Sequence, residues 1–246
     1  MHNRKQLVLF VAALLAASMA AYGVHYLIFR DVQHILIYGL GELAFLPIEV
    51  LLVSLVIDRL LEASEKRNML NKLNMVIGAF FSEVGTELMR QTFVLDRNFE
   101  SIRKNFIVTG DWNDKTYAAT KNSLAGYQYR IVVTGEDLSS LMGFLVSKRE
   151  FLLRLLENPN LLEHEDFSEA LWAVFHLTEE LSSRADVSNL STADYEHIAI
   201  DTKRAYVALL GEWLDYMKHL QKAYPYLFAL AIRTNPFDPN AKAELQ

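Results

Sequence analysis

The 246-residue sequence predicts an all-α protein, made of a two-helix transmembrane hairpin followed by an antiparallel helical bundle. Three observations support this prediction. Two long apolar runs occupy the first 57 residues, apolar residues recur at three- and four-residue spacing afterwards, and helix-start signals precede the later segments. Alternation typical of a strand is confined to the short run 129–133, which a helix explains equally well.

The two apolar runs define the predicted hairpin. Residues 7–29 hold 20 apolar side chains in 23 positions, with no Lys, Arg, Asp or Glu, and residues 32–57 hold 18 in 26. A helix needs roughly 20 predominantly apolar residues to cross about 30 Å of hydrocarbon. We therefore predict a membrane hairpin over 1–57 and a separate helical domain over 58–246.

Basic residues predict the orientation of the hairpin. They flank it on both sides, whereas the connection between its helices holds only Arg30, beside Asp31. The flanking basic residues are Arg4, Lys5, Arg59, Lys66, Arg67 and Lys72. By the positive-inside rule, both termini and the main domain are cytoplasmic, and the protein is a multi-pass protein of the cell (inner) membrane. A signal peptide cleaved near Ala20 is the competing interpretation, but the apolar run continues nine residues beyond it.

Small residues follow one side of the first helix. Ala13 and Ala17 are four residues apart, as are Ala16 and Ala20. This spacing lets another helix approach closely. The approaching helix is either the second helix of the same hairpin or a helix of a neighbouring subunit.

Two carboxylates interrupt the second apolar run. Glu42 and Glu49 are seven residues apart, so they share a helix face about 10 Å apart along the axis. An ionised carboxylate in a bilayer is costly, and such residues usually face protein, water or an ion pathway. Pro47 lies between them and leaves a carbonyl free to attract a cation. We predict an ion-pathway site here; a purely structural role for the two carboxylates is the alternative.

An apolar stripe follows the hairpin and predicts an amphipathic helix, continuous or nearly so with the second membrane helix. Its members are Leu70, Leu73, Ile77, Phe80, Val84 and Leu88. Several copies side by side would form a stalk below a membrane oligomer. The alternative is that the stripe packs only against its own domain.

The remaining chain predicts five further helices with recognisable ends. Thr134 and Asp137 mark one start, Ser191 and Asp194 resemble a capping box, and Pro225 suits a first turn. We predict helices over 111–129, 134–157, 166–184, 191–224 and 226–232, with the ordered region closing at 235–239.

Histidines and carboxylates recur at helical spacing in these segments. The pairs are His176 with Glu179 and Glu180, His197 with Asp201, and Asp215 with His219. A helical wheel places them away from the apolar faces, so we expect solvent-exposed side chains and predict no metal site and no other cofactor. Glu87 is the exception because it lies near the apolar stripe. There we predict a buried or subunit-seam carboxylate, paired with a basic residue across the bundle or facing that seam.

Composition disfavours several functions. The net charge of −6, without any Lys/Arg-rich run, argues against a nucleic-acid partner. The absence of cysteine removes disulfides, thiolate metal sites and cysteine nucleophiles. No Gly-rich phosphate loop, Gly-x-Ser-x-Gly turn or His-Glu-x-x-His motif occurs. We therefore predict no catalytic residues and no enzyme.

Two functions fit these observations. The first is a homo-oligomeric cation channel or transport pore, in which rings of Glu42 and Glu49 line the axis. The second is a membrane-anchored interaction or sensor module, whose hairpin only tethers the helical domain for a cytoplasmic protein partner. A membrane-anchored metal-binding or redox bundle is a third, weaker hypothesis. The lipid bilayer is a partner in all three, and cations are partners in the first.

Overall fold

The computed structural model describes residues 2–159, 161 and 164–244; the side chains at 2–5, 7, 63, 67, 68, 70 and 71 lie outside that description. Leu70 of the apolar stripe and the basic Arg4, Lys5 and Arg67 are among them. The chain divides into two compact units, Met1–Lys66 and Arg67–Gln246. The described α-helices are α1 (His2–Phe29), α2 (Val32–Phe80), α3 (Thr86–Phe93), α4 (Asp114–Ala125), α5 (Gly135–Leu156), α6 (Glu165–Ser182), α7 (Thr192–Ala223) and α8 (Pro225–Arg233).

The first unit consists of α1, a two-residue turn and the first part of α2. Arg30 adopts a positive φ of 50°, which lets the chain reverse within two residues. Asp31 then caps α2, because its Oδ1 accepts a hydrogen bond from the His34 amide at 3.0 Å. Both helices contain segments long and apolar enough to cross a membrane, Val8–Phe29 and Val32–Lys66, and none of their most apolar stretches is buried within the chain.

The second unit has its own core, and the apolar stripe belongs to it. Leu73, Ile77, Phe80, Val84 and Leu88 are each at most 3% exposed and lie in one hydrophobic cluster with residues of α5, α6 and α7. For these described members, the interpretation that the stripe packs against its own domain is confirmed. Each fully buried large apolar side chain stabilises the folded state by about 1.5–3 kcal/mol, so this cluster is the main source of the unit's stability.

A π-helical turn, Phe81–Gly85, joins α2 to α3. The Thr86 amide donates to the Phe81 carbonyl, five residues back, so one extra residue is accommodated here. Gly85 suits this turn, since a Cβ there would lie 2.5 Å from Phe81 Cδ1 and 2.9 Å from Phe80 Cε1. The second apolar run and the start of the apolar stripe thus lie in one helix, α2, as predicted, and the stripe continues through the π-turn into α3.

The predicted helix starts are confirmed where side chains cap the backbone. Thr134 and Asp137 form a reciprocal capping box at the start of α5, and Ser191 Oγ accepts from the Asp194 amide at the start of α7. Pro225 occupies the first turn of α8, where its missing N–H costs nothing. Helix α4 is shorter than predicted because Asn113 caps it at the N-terminus and it ends at Ala125.

Helix α7 is the centre of the bundle. It packs against α3, α4, α6 and α8. Helices α6 and α7 run antiparallel. His176 pairs with Asp201 and Glu180 pairs with His197, so the sequence order reverses between the helices. Lys121 with Asp215 and Asp114 with Lys222 show the same for α4 and α7.

The segment between α3 and α4 is held by a buried carboxylate. Asp96 is 4% exposed and accepts hydrogen bonds from the Asn98 amide, the Arg130 amide and the Tyr127 hydroxyl at 2.8–3.1 Å. Three donors satisfy its oxygens, so its burial is tolerated. The segment 129–133 is extended rather than helical, and Ile131 forms an isolated bridge with Asp96.

The chain after α8 returns to the core. Phe237 is fully buried, and its ring lies 5.0 Å from that of Trp213 and 5.1 Å from that of Phe106. Asn235 fixes the backbone just before Phe237, because its Nδ2 donates to the Phe106 carbonyl at 2.8 Å and its Oδ1 accepts from the Phe237 amide at 2.9 Å. The C-terminal segment is therefore part of the domain's interior.

Candidate functional site

The structure places the predicted ion-pathway residues on α2 in the first unit. Glu42 has a partner within the hairpin, since the Tyr22 hydroxyl of α1 donates to its Oε2 at 3.2 Å. Glu49 is exposed, and no hydrogen bond or ion pair to it occurs among the described side chains. Pro47 lies inside α2, which continues through it. The two carboxylates thus differ: one is bonded to α1 and the other lacks such a partner.

Two histidines that no sequence motif singles out accompany Glu42. His25 of α1 and His34 of α2 stack with ring centroids 5.9 Å apart. They line an open groove of about 410 Å³ together with Tyr22, Tyr38 and Glu42. A signal was present in the sequence, because His25 and His34 are polar interruptions at the facing ends of the two apolar runs.

The alanine stripe of α1 is exposed in the single chain, at Ala13, Ala16, Ala17 and Ala20. Its surface is therefore open to another helix or to lipid. That the second helix of the same hairpin, or a helix of a neighbouring subunit, approaches it stays a prediction.

Glu87 differs from its predicted environment. Its side chain is 41% exposed, and it bonds along its own helix to Arg90 at 2.5 Å and to Gln91 at 3.1 Å. The prediction of a buried carboxylate with a basic partner across the bundle is therefore wrong, whereas the alternative of a subunit-seam carboxylate stays a prediction. Bonds at i+3 and i+4 satisfy the carboxylate locally, at the edge of the apolar stripe.

Among the described residues, a group of histidines and carboxylates lies between α6 and α7. It consists of His176, Glu180, His197 and Asp201, hereafter the α6–α7 cluster. His197 Nε2 lies 3.3 Å from Asp201 Oδ2 and 3.4 Å from Glu180 Oε2. His176 Nε2 lies 3.5 Å from Asp201 Oδ2 and 3.9 Å from Glu180 Oε1.

Asp201 corrects the expectation that these residues all face solvent. Its side chain is only 3% exposed, and its Oδ2 is buried without a hydrogen-bond partner. The helical wheel misplaced it: Asp201 follows Ile198 by three residues and precedes Ala205 by four, so it lies on the apolar stripe of α7. That spacing was visible in the sequence.

Two arginines hold the carboxylates of the cluster. Arg184 donates to Glu180 Oε2 at 2.9 Å, and this bond is the main reason that the pKa of the Glu180 carboxyl is lowered. Arg204 NH1 forms an ion pair with Asp201 Oδ1 at 3.2 Å, whereas the two histidines lie near the other oxygen, Oδ2. Each carboxylate is thus oriented by a guanidinium while still facing the two imidazoles.

A second buried carboxylate, Glu212, lies elsewhere on α7. Its side chain is 4% exposed, and burial, together with the nearby charges of Asp215 and Asp166, raises its pKa to about 7. It lines an open groove of about 600 Å³ with Lys121 and Glu169. No motif singles out Glu212, although it follows Leu209 on the apolar face of α7 by three residues.

Together these features define an all-α protein with two long apolar N-terminal helices and a separately packed helical domain. Residues 2–61 match the family domain described as "MJ1433, N-terminal helical domain", and residues 69–233 match "Uncharacterized protein MJ1433, C-terminal helical domain". The chain belongs to this MJ1433 family. It is 46% identical over 238 residues to the protein named "Uncharacterized protein MJ1433" from Methanocaldococcus jannaschii, covering 97% of this chain and 96% of that protein. No solved structure matches the chain.

Proposed function

We propose that the protein is an integral membrane protein whose hairpin anchors the helical domain at the cytoplasmic face of the cell membrane. The observation that carries this proposal is the contrast between its two units. Residues 67–244 bury their own hydrophobic core, whereas the most apolar stretches of Val8–Phe29 and Val32–Lys66 bury nothing within the chain. Lipid is the partner that such exposed apolar helices fit, because water would leave a very large apolar surface hydrated.

The dimensions support the same proposal. Val8–Phe29 has 22 residues, which at 1.5 Å per residue span roughly 33 Å, close to the thickness of a bilayer's hydrocarbon core. The Arg30 turn then lies outside the cell, and the exposed Arg59 and Lys66 lie on the cytoplasmic side.

Cysteine labelling tests this topology, because the chain has no cysteine of its own. We expect the variant Gln33→Cys, near the turn, to react with a membrane-impermeant maleimide in intact cells. The matched variant Ser139→Cys, exposed on α5, should react only after lysis. The reverse pattern, or release of the protein from membranes by alkaline carbonate, would overturn the proposal.

A second candidate function is cation conduction by a homo-oligomer, and Glu49 is the observation that favours it. A carboxylate without a described partner in an apolar helix needs water, a cation or a neighbouring subunit around it. Copies of α2 around an axis would supply these and form a ring of carboxylates. The Tyr22 bond to Glu42 favours the anchor instead, since it gives that carboxylate a structural role.

Flux through reconstituted liposomes separates these two functions. If the protein conducts cations, Glu49→Gln should lower the cation flux by about tenfold or more, since the ring concentrates cations at the path. Glu65→Gln is the matched control, because Glu65 is an exposed carboxylate of α2 beyond the apolar run. Tight liposomes and a monomer in mild detergent would eliminate conduction and leave the anchor.

A further inference from the structure

We propose that the α6–α7 cluster is a metal site that binds one divalent transition-metal ion, with Zn²⁺ as the ion its geometry fits. The ligands are Nε2 of His176, Nε2 of His197, a carboxylate oxygen of Glu180 and Oδ2 of Asp201. This site is independent of the hairpin and of any transport through it.

The first support is how the backbone delivers the four side chains. His176 and Glu180 are four residues apart on α6, and His197 and Asp201 are four apart on α7. Residues at this spacing are neighbours on one helix face. Because α6 and α7 are antiparallel, the two pairs meet with each histidine opposite the carboxylate of the other helix.

The second support is the spacing of the donor atoms. A tetrahedral zinc ion with bonds of about 2.0–2.2 Å holds neighbouring ligand atoms about 3.3–3.5 Å apart. The nitrogen–oxygen separations in the cluster are 3.3, 3.4, 3.5 and 3.9 Å. The two separations to Asp201 Oδ2, 3.3 and 3.5 Å, match edges of a zinc tetrahedron. The 3.4 and 3.9 Å separations go to different oxygens of Glu180, Oε2 and Oε1, so this side chain must rotate to present one oxygen to the ion. One donor atom each of His176, Glu180 and Asp201 already lies within 4.8 Å of the other two.

The third support is the state of the Asp201 oxygen. Oδ2 is buried and has no hydrogen-bond donor, although the two imidazole nitrogens lie 3.3 and 3.5 Å away. A good N–H···O bond is about 2.9 Å long, and neither imidazole makes one. An unsatisfied buried carboxylate oxygen is costly, and a cation placed between it and the imidazoles removes that cost.

The residues around the α6–α7 cluster suit a bound metal ion. Arg184 and Arg204 orient the Glu180 and Asp201 carboxylates, as the outer-shell partners of metal ligands commonly do. Imidazole and carboxylate ligands suit zinc, and four protein ligands fill its tetrahedron. The site is therefore structural: it ties α6 to α7. His176 and His197 are 45% and 51% exposed, which gives the ion a path of entry.

Zinc titration of the full-length protein, stripped with chelator in mild detergent, tests the proposal. We expect one ion per chain, and an increase in Tm of about 5–10 °C at a free zinc concentration near 100 times Kd. Cobalt in its place should give the intense visible absorption of a four-coordinate ion.

Variants decide whether these residues are the ligands. His197→Gln, at a half-exposed position that leaves the core intact, and Asp201→Asn should each weaken zinc binding at least about tenfold. Glu179→Gln is the matched control, since Glu179 bonds to Arg149 and not to the cluster; it should bind zinc like the wild type. No stoichiometric zinc in the wild type, or unchanged binding by the folded His197→Gln variant, would refute the proposal.

Discussion

Replacing Phe237 with alanine should destabilise the helical domain by about 3–5 kcal/mol, the usual cost of removing a fully buried phenylalanine ring. The ring has no exposed surface and contacts an aromatic cluster. Its neighbours are Phe93, Phe99, Phe106 and Trp213, with centroid distances of 5.0–5.8 Å. The cavity cannot close easily, because Arg103 Nε also holds the Phe237 carbonyl at 2.9 Å. The backbone on either side is therefore fixed.

Tryptophan fluorescence during denaturant unfolding of the purified protein measures this loss. All three tryptophans lie after residue 66, so the signal reports the helical domain alone. Tyr226→Ala is the matched control: it also removes an aromatic ring, but from a side chain that is 71% exposed, and should change stability by less than about 0.5 kcal/mol. Equal effects of the two substitutions would contradict the buried position of Phe237.

Replacing Glu212 with glutamine should stabilise the protein at pH 8 by up to about 3 kcal/mol and have little effect near pH 4.5. Desolvation is the main cause that raises the pKa of this carboxyl from 4.5 to about 7. The folded state therefore binds the proton more tightly than the unfolded state. The stability that the protonated group contributes is complete below about pH 4.5 and is lost as the pH rises through about 7. Glutamine resembles the protonated form at every pH.

Unfolding free energies measured between pH 4.5 and 8 test the predicted direction of this pH dependence. The wild type should lose stability relative to Glu212→Gln across that window. Glu169→Gln is the control, because Glu169 is an exposed carboxylate on the same groove and its replacement should leave the pH dependence unchanged. A difference between wild type and Glu212→Gln that stays constant with pH would show that Glu212 is already ionised without cost.

Helix starts were predictable because they depend on local chemistry. Thr134, Ser191 and Pro225 act on backbone groups within one turn, so a sequence window contains all the necessary information. The path of the chain between α3 and α4 was not predictable in this way. It depends on Asp96 accepting bonds from residues about thirty positions later, which no local pattern reveals.

The candidate sites also depend on contacts between segments that are distant in the sequence, which local patterns do not reveal. The two halves of the α6–α7 cluster were visible as four-residue pairs, but their meeting requires the antiparallel packing of two helices. A helical wheel also predicts that Asp201 faces solvent, whereas Asp201, like Glu212, is buried on the apolar stripe of α7. Phe237 was missed because it follows the last helix, where helical periodicity gives no information.

The π-turn at Phe81–Gly85 also constrains how the length of this chain can change. Removing one residue there, for example the exposed Ser82, would convert the π-turn to α-helix and keep the residues after it on the same helix face, because the turn holds one residue more than an α-helical turn. Leu88 and Met89, both fully buried, would therefore stay in the core. A single-residue deletion in this turn is therefore milder than one within a regular α-helix, which would rotate everything after it by about 100°.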